Sequence, residues 1–328
     1  MEKPKEIIQA VIFVVLFTYL GVVARLALTM LTDLATNSVL PKLGDGFFLA
    51  NIYGSFVMGI AVPLVDYFQG RMYWNVGITS GFCGSCTTFA TWQKTTANDM
   101  ITGRVVDSLV LSLVTFCTSY MALLCGRHVG DCISRVLKKI RKAKTADTEQ
   151  TVPEPEKSQD LEEKKFTINL DAAIVLVFVL LITAALWVGV FLDYSAWRRQ
   201  WWVAMALAPV GSLVRYATSL YNRMFPKFPV FTFLVNIVAS VLAMCFLVIQ
   251  NFLTNKFSSN LIAAYEFWVI SGVSVGLLGS MSTVSTFVNE LYKYGSTNHV
   301  ACAYRYGLIT VVVAQVVCVL VGCITFFR

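Results

Sequence analysis

Residues 84–92 read GSCTTFATW, and residues 279–287 read GSMSTVSTF. The two segments align over nine positions without a gap, at an offset of 195 residues. Two other matches occur in the same order: GVVAR, ending at Arg25, pairs with GSLVR, ending at Arg215, and the sequence around Asn51 pairs with that around Asn236. Matches at three places in one order indicate an internal repeat. We therefore expect the chain to consist of two related halves.

Apolar stretches long enough to cross a membrane make up most of the chain. Hydrophobic residues account for 57% and charged residues for 14% of the 328 residues, whereas about a quarter of the residues of a soluble domain are charged. A spanning helix needs roughly 20 mostly apolar residues, because its backbone groups must be bonded internally in hydrocarbon. The predicted spans are residues 7–31, 47–65, 74–97, 105–125, 172–192, 201–221, 231–252, 263–291 and 300–327. The sequence thus predicts an all-α membrane protein with nine transmembrane helices.

The number of spans predicts how the halves are related. Residues 1–126 form a first repeat of four spans, residues 127–169 a soluble charged linker, residues 170–193 a single linker span, and residues 194–328 a second repeat of four spans. Because five spans precede the second repeat, it enters the membrane from the opposite side, and the repeats are inverted. Most Lys and Arg residues, ten of them between Arg127 and Lys165, then fall on the side of the N-terminus. This distribution places the N-terminus in the cytoplasm and the C-terminus outside.

The linker is basic in its first part, RVLKKIRKAK, and acidic in its second part, EQTVPEPEKSQDLEEKK. This composition predicts a largely disordered segment. A short basic helix lying on anionic lipid is the alternative for the first part.

The sequence lacks the residues that several classes of function require. The nine cysteines are scattered, and Cys83 and Cys86 form the one CxxC pair, so small packing residues are the simpler interpretation than a metal or redox site. We find no nucleotide-binding loop, His-rich cluster or Ser/His/Asp set, and a basic balance in a membrane protein reports orientation rather than nucleic-acid binding. Acidic and lysine residues occur in spans only near their ends, as at Glu290, which argues against a proton-coupled carrier. We expect neither an enzyme nor a nucleic-acid partner.

Polar residues at membrane depth are the candidates for function. The Gly, Ser and Thr residues of the repeated segments allow either a helix break that exposes carbonyl groups or close helix packing, and their repetition favours the break. Asn51 and Asn236 need partners, either in an interhelical hydrogen bond or in a polar conduit. Arg25 and Arg215 are intramembrane charges, or else extend to the interface.

A hydroxyl stripe lies on one face of the fourth predicted span. Its members are Ser108, Ser112, Thr115 and Ser119. The stripe either hydrates an ion in transit or bonds back to its own helix. The last span has a thinner counterpart in Tyr306 and Thr310.

These motifs together resemble the fluoride channel family that is called Fluc in bacteria and FEX in eukaryotes. The eukaryotic members are similar to this chain in having two four-span halves fused through one extra span. The resemblance implies a passive fluoride channel of the plasma membrane, which exports cytoplasmic fluoride and acts as an internal pseudo-dimer in the lipid bilayer. It also implies a central structural sodium ion, held by backbone oxygens of Gly84, Thr87, Gly279 and Ser282.

The resemblance further implies a pair of phenylalanines in each pore, one from each half. Here one pore pairs Phe89 with Phe287, and the other pairs Val284 with Trp92, so we expect one working and one vestigial pore. Fluoride would pass the ring edges, where the aromatic quadrupole is positive. The other implied or candidate pore residues are Asn51, Asn236, Thr88, Ser285, Ser108, Ser112 and Thr115. A coupled transporter of another small solute and a non-conducting scaffold remain the alternatives.

Overall fold

The computed structural model describes residues 4–35, 46–68, 72–149, 159–256, 259–297 and 299–324. These residues are helical almost throughout, and no β-strand occurs among them. The helices of the first half are α1 (Pro4–Leu34), α2 (Phe47–Ala61), α3 (Met72–Val76), α4 (Gly84–Cys86), α5 (Phe89–Ile101) and α6 (Val105–Glu149). Next come α7 (Gln159–Leu192), α8 (Ala196–Ser219), α9 (Val230–Lys256), α10 (Ser259–Tyr265), α11 (Gly279–Met281), α12 (Ser285–Ser296) and α13 (Val300–Cys323). Short 3₁₀ turns extend α2 over Val62–Phe68 and α8 over Leu220–Met224, and π-helical segments join α3 to α4 (Gly77–Cys83) and α10 to α11 (Glu266–Leu278).

Eight helical stretches of the described residues are long and apolar enough to cross a membrane, so this is a multi-pass membrane protein. They are Glu6–Leu34, Phe47–Val65, Val105–Lys142, Ala172–Leu192, Trp197–Met224, Val230–Thr254, Ile262–Ser296 and Val300–Cys323. Each overlaps one predicted span. The remaining prediction, residues 74–97, is divided at Thr87 and Thr88 into helices that are each shorter than the roughly 20 residues of a spanning helix. The end of the last predicted span, residues 325–327, lies outside the described residues.

The prediction of a largely disordered linker is wrong where the linker is described. Helix α6 continues without interruption to Glu149, and α7 begins at Gln159. Extending an existing helix avoids the cost of nucleation, and Lys, Arg, Leu and Ala are good helix formers. The basic residues therefore prolong a spanning helix instead of starting a separate helix on the lipid surface. Residues 150–158, in the acidic part of the linker, lie outside the described residues.

The same close helix contact recurs in the two halves. A Cβ atom added to Gly21 of α1 would lie 2.4 Å from the carbonyl oxygen of Phe82. In the second half, a Cβ atom on Gly211 of α8 would lie 2.0 Å from the carbonyl oxygen of Leu277. Both distances are too short for any side chain, so glycine allows the first helix of each half to touch the π-helical segment before the break.

The halves are interleaved around their broken helices. Helix α4 packs on α11, which brings the two breaks together at the centre of the molecule. Beyond the breaks, α5 packs against α9 and α13 of the second half, and α12 packs against α2 and α6 of the first. Any site at the breaks is therefore built from both halves.

A short turn fixes the linking helix α7 to the second half. The carboxylate of Asp193 accepts hydrogen bonds from Arg198 Nε at 2.7 Å and from Trp202 Nε1 at 3.0 Å. These bonds hold the pKa of Asp193 well below its usual value, and the bond from Arg198 has the largest effect. Toward the first half, Thr183 of α7 shares a 2.8 Å hydrogen bond with the hydroxyl of Tyr19.

Candidate functional site

Each break is fixed by an asparagine of the same half. The backbone N–H of Thr88 donates to Asn51 Oδ1 at 2.8 Å, and Asn51 Nδ2 donates back to the carbonyl of Thr88 at 3.3 Å. The N–H of Thr283 donates to Asn236 Oδ1 at 2.8 Å, and Asn236 Nδ2 donates back to the carbonyl of Thr283 at 3.1 Å. Both asparagines are fully buried. Each amide thus replaces the backbone partners that the break removes.

Side chains at the breaks also stabilise the helices of the opposite half. Thr87 Oγ1 accepts the N–H of Ser285 at 3.2 Å, at the start of α12. Ser282 Oγ accepts the N–H of Ala90 at 3.1 Å, at the start of α5. The hydroxyl of Ser285 lies 3.1 Å from that of Thr87, and the hydroxyl of Thr88 lies 3.4 Å from that of Ser282. The predicted residues Thr88 and Ser285 therefore belong to one hydroxyl cluster shared by both halves.

The first break leaves carbonyl oxygens without their helical donors. In an α-helix the carbonyl of Gly84 would accept the N–H of Thr88, and that of Thr87 would accept the N–H of Thr91. Here Asn51 accepts the first of these N–H groups, and Thr88 Oγ1 accepts the second at 3.3 Å.

The second break repeats this exchange. In an α-helix the carbonyl of Gly279 would accept the N–H of Thr283. Here that N–H donates to Asn236. The N–H that would bond the carbonyl of Ser282 is that of Thr286, and it donates to Thr283 Oγ1 at 3.2 Å. Freed backbone carbonyls of broken membrane helices are suitable ligands for Na⁺. The residues present at the two breaks therefore fit a sodium ion.

Arg25 and Arg215 each reach from one half into the other. Both are only 4% exposed. Arg25 Nη2 donates to the carbonyl of Val275 at 2.7 Å, and Arg215 Nη2 donates to the carbonyl of Ser80 at 2.5 Å. Arg215 Nε also donates to the carbonyl of Ser280 at 3.1 Å. The two arginines therefore join the halves and do not extend to the membrane–water interface.

Glycines at the start of α4 and α11 make room for these guanidinium groups. A Cβ atom on Gly84 would lie 2.0 Å from Arg215 Nη1, and one on Gly279 would lie 2.5 Å from Arg25 Nη1. Each arginine thus contacts the broken helix of the opposite half beside the freed carbonyls.

The aromatic residues form a buried cluster just after the breaks. The rings of Phe89 and Phe287 meet edge to face, with centroids 5.7 Å apart and planes at 71°. Trp92 packs edge-on against Phe89 at 5.3 Å. Val284 is buried in the same cluster. The structure thus brings Phe89 of one half against Phe287 of the other, as the resemblance implied.

The hydroxyl stripe of α6 lies partly against this cluster. Ser108 Oγ donates to the carbonyl of Thr96 on α5 at 2.7 Å. Ser112 is half-buried, whereas Thr115 and Ser119 are fully buried. The hydroxyls of these last two residues have no partner among the described residues. Phe116, next to Thr115, lies 6.3 Å from Phe287 between ring centroids.

Helix α13 provides a second polar face beside the phenylalanines. The ring of Tyr306 meets that of Phe287 edge to face at 5.3 Å. One turn further on, Thr310 is fully buried and its hydroxyl donates back to the carbonyl of Tyr306 at 2.7 Å.

A family profile described as CrcB-like protein, Camphor Resistance (CrcB), matches residues 12–127 and 202–323. The chain belongs to the CrcB family. The two matched segments correspond to the two predicted halves of this CrcB protein.

Similar proteins confirm the resemblance to fluoride channels and exporters. Fluoride export protein 1 of Candida albicans is 23% identical over 348 residues, which cover 95% of this chain and 79% of the relative. Fluoride export protein 1 of Saccharomyces cerevisiae is 25% identical over 325 residues, covering 86% of this chain and 84% of the relative. Fluoride-specific ion channel FluC 2 of Staphylococcus saprophyticus is 32% identical over 121 residues, covering 36% of this chain and 98% of the relative. No solved structure matches the chain.

Sequence reasoning underestimated Glu290 of this CrcB protein, which it placed near the end of a span. The carboxylate lies within the stretch Ile262–Ser296 and is only partly exposed. It accepts hydrogen bonds from the hydroxyls of Tyr306 and Thr232, both at 2.8 Å. The carboxylate is therefore held by side chains of α9 and α13 of its own half. Its spacing of three residues from Phe287, on the same helix, was the available signal.

Sequence reasoning missed Gln93 entirely. Gln93 lies one helical turn after Phe89 on α5 and is fully buried. A polar residue four positions from a candidate pore residue was the signal that could have identified it.

Proposed function

We propose that this CrcB protein is a fluoride-selective passive channel of the plasma membrane, which exports cytoplasmic fluoride. The observation that carries the proposal is the edge-to-face pair of Phe89 and Phe287, formed across the two halves beside the broken helices. It is supported by relatives that are named fluoride export proteins and fluoride-specific ion channels.

The phenylalanine pair offers an anion the positive edges of two aromatic rings. Helices with buried hydroxyl groups contact the pair: α13, with Thr310, through the ring of Tyr306, and α6, with Thr115, through the ring of Phe116. An inside-negative membrane potential drives the anion outward, since each charge gains about 2.3 kcal/mol per 100 mV. Passive electrodiffusion needs no other energy source.

One pore works and the other is vestigial in this proposal. Val284 replaces a phenylalanine in the second pair, and an aliphatic side chain has no positive ring edge to present to fluoride. Trp92, which the resemblance pairs with Val284, packs edge-on against Phe89.

The proposed topology has nine transmembrane passes, with the helix broken at Thr87 and Thr88 as the third. The repeats, residues 1–126 and 194–328, are inverted about the charged linker, residues 127–169, and the linker helix, residues 170–193. The N-terminus is cytoplasmic and the C-terminus external, and one chain acts as a pseudo-dimer. The interleaving of α5 and α12 with the opposite halves supports the pseudo-dimer.

A structural sodium ion is part of the proposal. The backbone oxygens of Gly84, Thr87, Gly279 and Ser282 would hold it. Once bound, the ion supplies positive charge at the interface of the halves. The asparagines take the helical donors of the Gly84 and Gly279 carbonyls. The hydroxyls of Thr88 and Thr283 take the donors of the Thr87 and Ser282 carbonyls.

The test is fluoride efflux from liposomes that contain the purified protein, under an imposed potassium diffusion potential. We expect electrogenic efflux from the native chain, loss of efflux in Phe287→Ile, and efflux close to native in Val284→Ala. Loss of efflux in Val284→Ala alone would assign conduction to the other pore.

The second candidate function is a proton-coupled carrier, and the partly buried hydrogen bonds of Glu290 favour it. A carboxylate inside a span is a group that such carriers use. The same liposomes decide between the two, because a carrier requires a proton gradient for net fluoride transport against its own gradient. A chain that moves no fluoride under any condition would be a scaffold.

A further inference from the structure

The side chain of Gln93 is a buried amide. Its side chain is fully buried, and neither Oε1 nor Nε2 makes a hydrogen bond to any residue that the structure describes. Buried polar groups are almost always bonded, because an unmade hydrogen bond costs free energy. An amide with both ends unsatisfied at membrane depth indicates that a ligand or water completes it.

Three other amides of this region, those of Asn51, Asn236 and Gln315, already have partners for both their oxygen and their nitrogen. Asn51 and Asn236 bond the backbone with both their oxygen and their nitrogen. Gln315 accepts from Thr96 Oγ1 at 2.9 Å and donates toward a methionine sulfur at 3.4 Å. Asn289 on α12 has an unbonded buried oxygen, whereas Gln93 has both its oxygen and its nitrogen unbonded among the described residues.

Gln93 is placed beside the proposed pore. It follows Phe89 by four residues on α5, so the two side chains share a helix face. Thr96 and Met100 continue this face, and both contact Gln315 of α13. The face therefore points toward α13, whose Tyr306 packs on Phe287.

The repeat shows that the fold does not require an amide at this position. The counterpart of Gln93, at the offset of 195 residues, is Val288. Val288 is also fully buried and belongs to the cluster that contains Phe89 and Phe287. An aliphatic residue thus satisfies the same packing in the second half.

We propose that Gln93 is a fluoride-binding residue of the working pore, whose side-chain N–H groups receive the anion next to Phe89. The amide oxygen accepts a hydrogen bond from water that travels with the ion. This inference rests on the proposed function, since it assigns a ligand to the same pore. It makes the pore asymmetric, with the amide contributed by the first half only.

The experiment compares Gln93→Met, a variant of similar size without hydrogen-bonding groups, with the native chain. Fluoride efflux from liposomes is measured over a range of fluoride concentrations, and thermal unfolding is measured in detergent. We expect the maximal efflux to fall at least about tenfold, as for a lost hydrogen bond to a charge. We expect thermal stability to be equal or higher, because the substitution removes unsatisfied polar atoms.

The combination of lower efflux and undiminished stability distinguishes binding from a structural role, which predicts that both fall together. Gln93→Val, which copies residue 288, is the second variant if the methionine packs poorly. Gln250→Met is the control for loss of an amide elsewhere, because Gln250 bonds Glu266 at 3.1 Å on other helices, and it should conduct normally.

Native efflux in a stable Gln93→Met or Gln93→Val protein would overturn the inference and leave the proposed function intact. No efflux from the native chain would instead contradict the proposed function itself.

Discussion

At the scale of single residues, one contact between a helix and the break beside it carries a methyl group on a different residue in each half. A Cβ atom on Gly54 would lie 2.5 Å from the methyl carbon of Thr87. In the second half the counterparts are Ala239 and Ser282, so the methyl group is on α9 and the residue at the break lacks it. Each half thus has one methyl group where two would collide. The hydroxyl that bonds the opposite half is kept in both.

We expect Gly54→Ala to lower the thermal stability of the protein, because the added methyl collides with Thr87. Overpacking of this kind typically costs about 1–3 kcal/mol. Thr87→Ser, introduced into the Gly54→Ala protein, should restore most of the loss, since it recreates the arrangement of the second half. Unfolding temperatures in detergent measure both effects. A double variant no more stable than Gly54→Ala would show that this contact is not the cause.

At the scale of elements, the functional feature is a helix that breaks and is held in its broken state. Thr87 and Ser282 have extended backbone conformations, with φ/ψ of −86°/151° and −82°/154°. An extended residue ends the helical ladder, and the freed N–H groups are then bonded by asparagine and hydroxyl side chains. Because the opposite half supplies some of these side chains, neither broken helix is complete without its counterpart.

Removing one of these side chains should destabilise the break. Asn51→Ala leaves the N–H and carbonyl of Thr88 without their partner, and each unsatisfied buried group costs about 1–3 kcal/mol. We expect a clear fall in the unfolding temperature in detergent. Asn75→Ala is the matched control, since Asn75 makes a single 3.1 Å bond to the carbonyl of Ala61 and is only partly buried. Equal losses in the two variants would contradict the role given to Asn51.

The same variant tests the proposed sodium ion. Replacing sodium by choline should lower the unfolding temperature of the native protein, because an ion bound only to the folded state stabilises it by mass action. The shift should shrink in Asn51→Ala, because the backbone at Thr88 is then no longer held in the conformation that frees the carbonyl of Gly84. A native protein with the same unfolding temperature in both salts would argue against a sodium ion at the breaks.

At the scale of the whole molecule, function depends on two halves that meet at their least regular segments. Arg25 and Arg215 cross the interface in opposite directions, and the phenylalanine pair takes one ring from each half. In the proposed topology, the single linking helix α7 gives the two halves opposite orientations in the membrane. The proposal of one working and one vestigial pore follows from the single difference that Val284 occupies the position of Phe89 in the second half.

The proposed inversion can be tested by labelling from either side of the membrane. Cys132 is exposed on α6 before the linker, and Tyr194 is exposed in the turn after α7. An impermeant maleimide should label Tyr194→Cys in intact cells, but Cys132 only after permeabilisation, with the labelled residue identified by peptide mapping. The reverse pattern would invert the orientation only. Labelling of both from one side would contradict a single crossing between the halves.

The sequence by itself determined the helical class, eight of the predicted spans, the repeat and the position of the breaks. These follow from local composition, because a run of apolar residues or a cluster of glycine and threonine acts on its own segment. It also gave the pairing of Phe89 with Phe287, through the resemblance.

Only the tertiary structure decided what the buried polar groups contact. The arginines bind carbonyls of the opposite half, Asn51 and Asn236 bond their own breaks, Glu290 is held by Tyr306, and Gln93 is left free. The hydrogen-bond partner of a buried side chain depends on which helix faces meet, and most of these faces come from segments far apart in the chain. Periodicity within one helix specifies which residues share a face, but it does not specify what that face will touch.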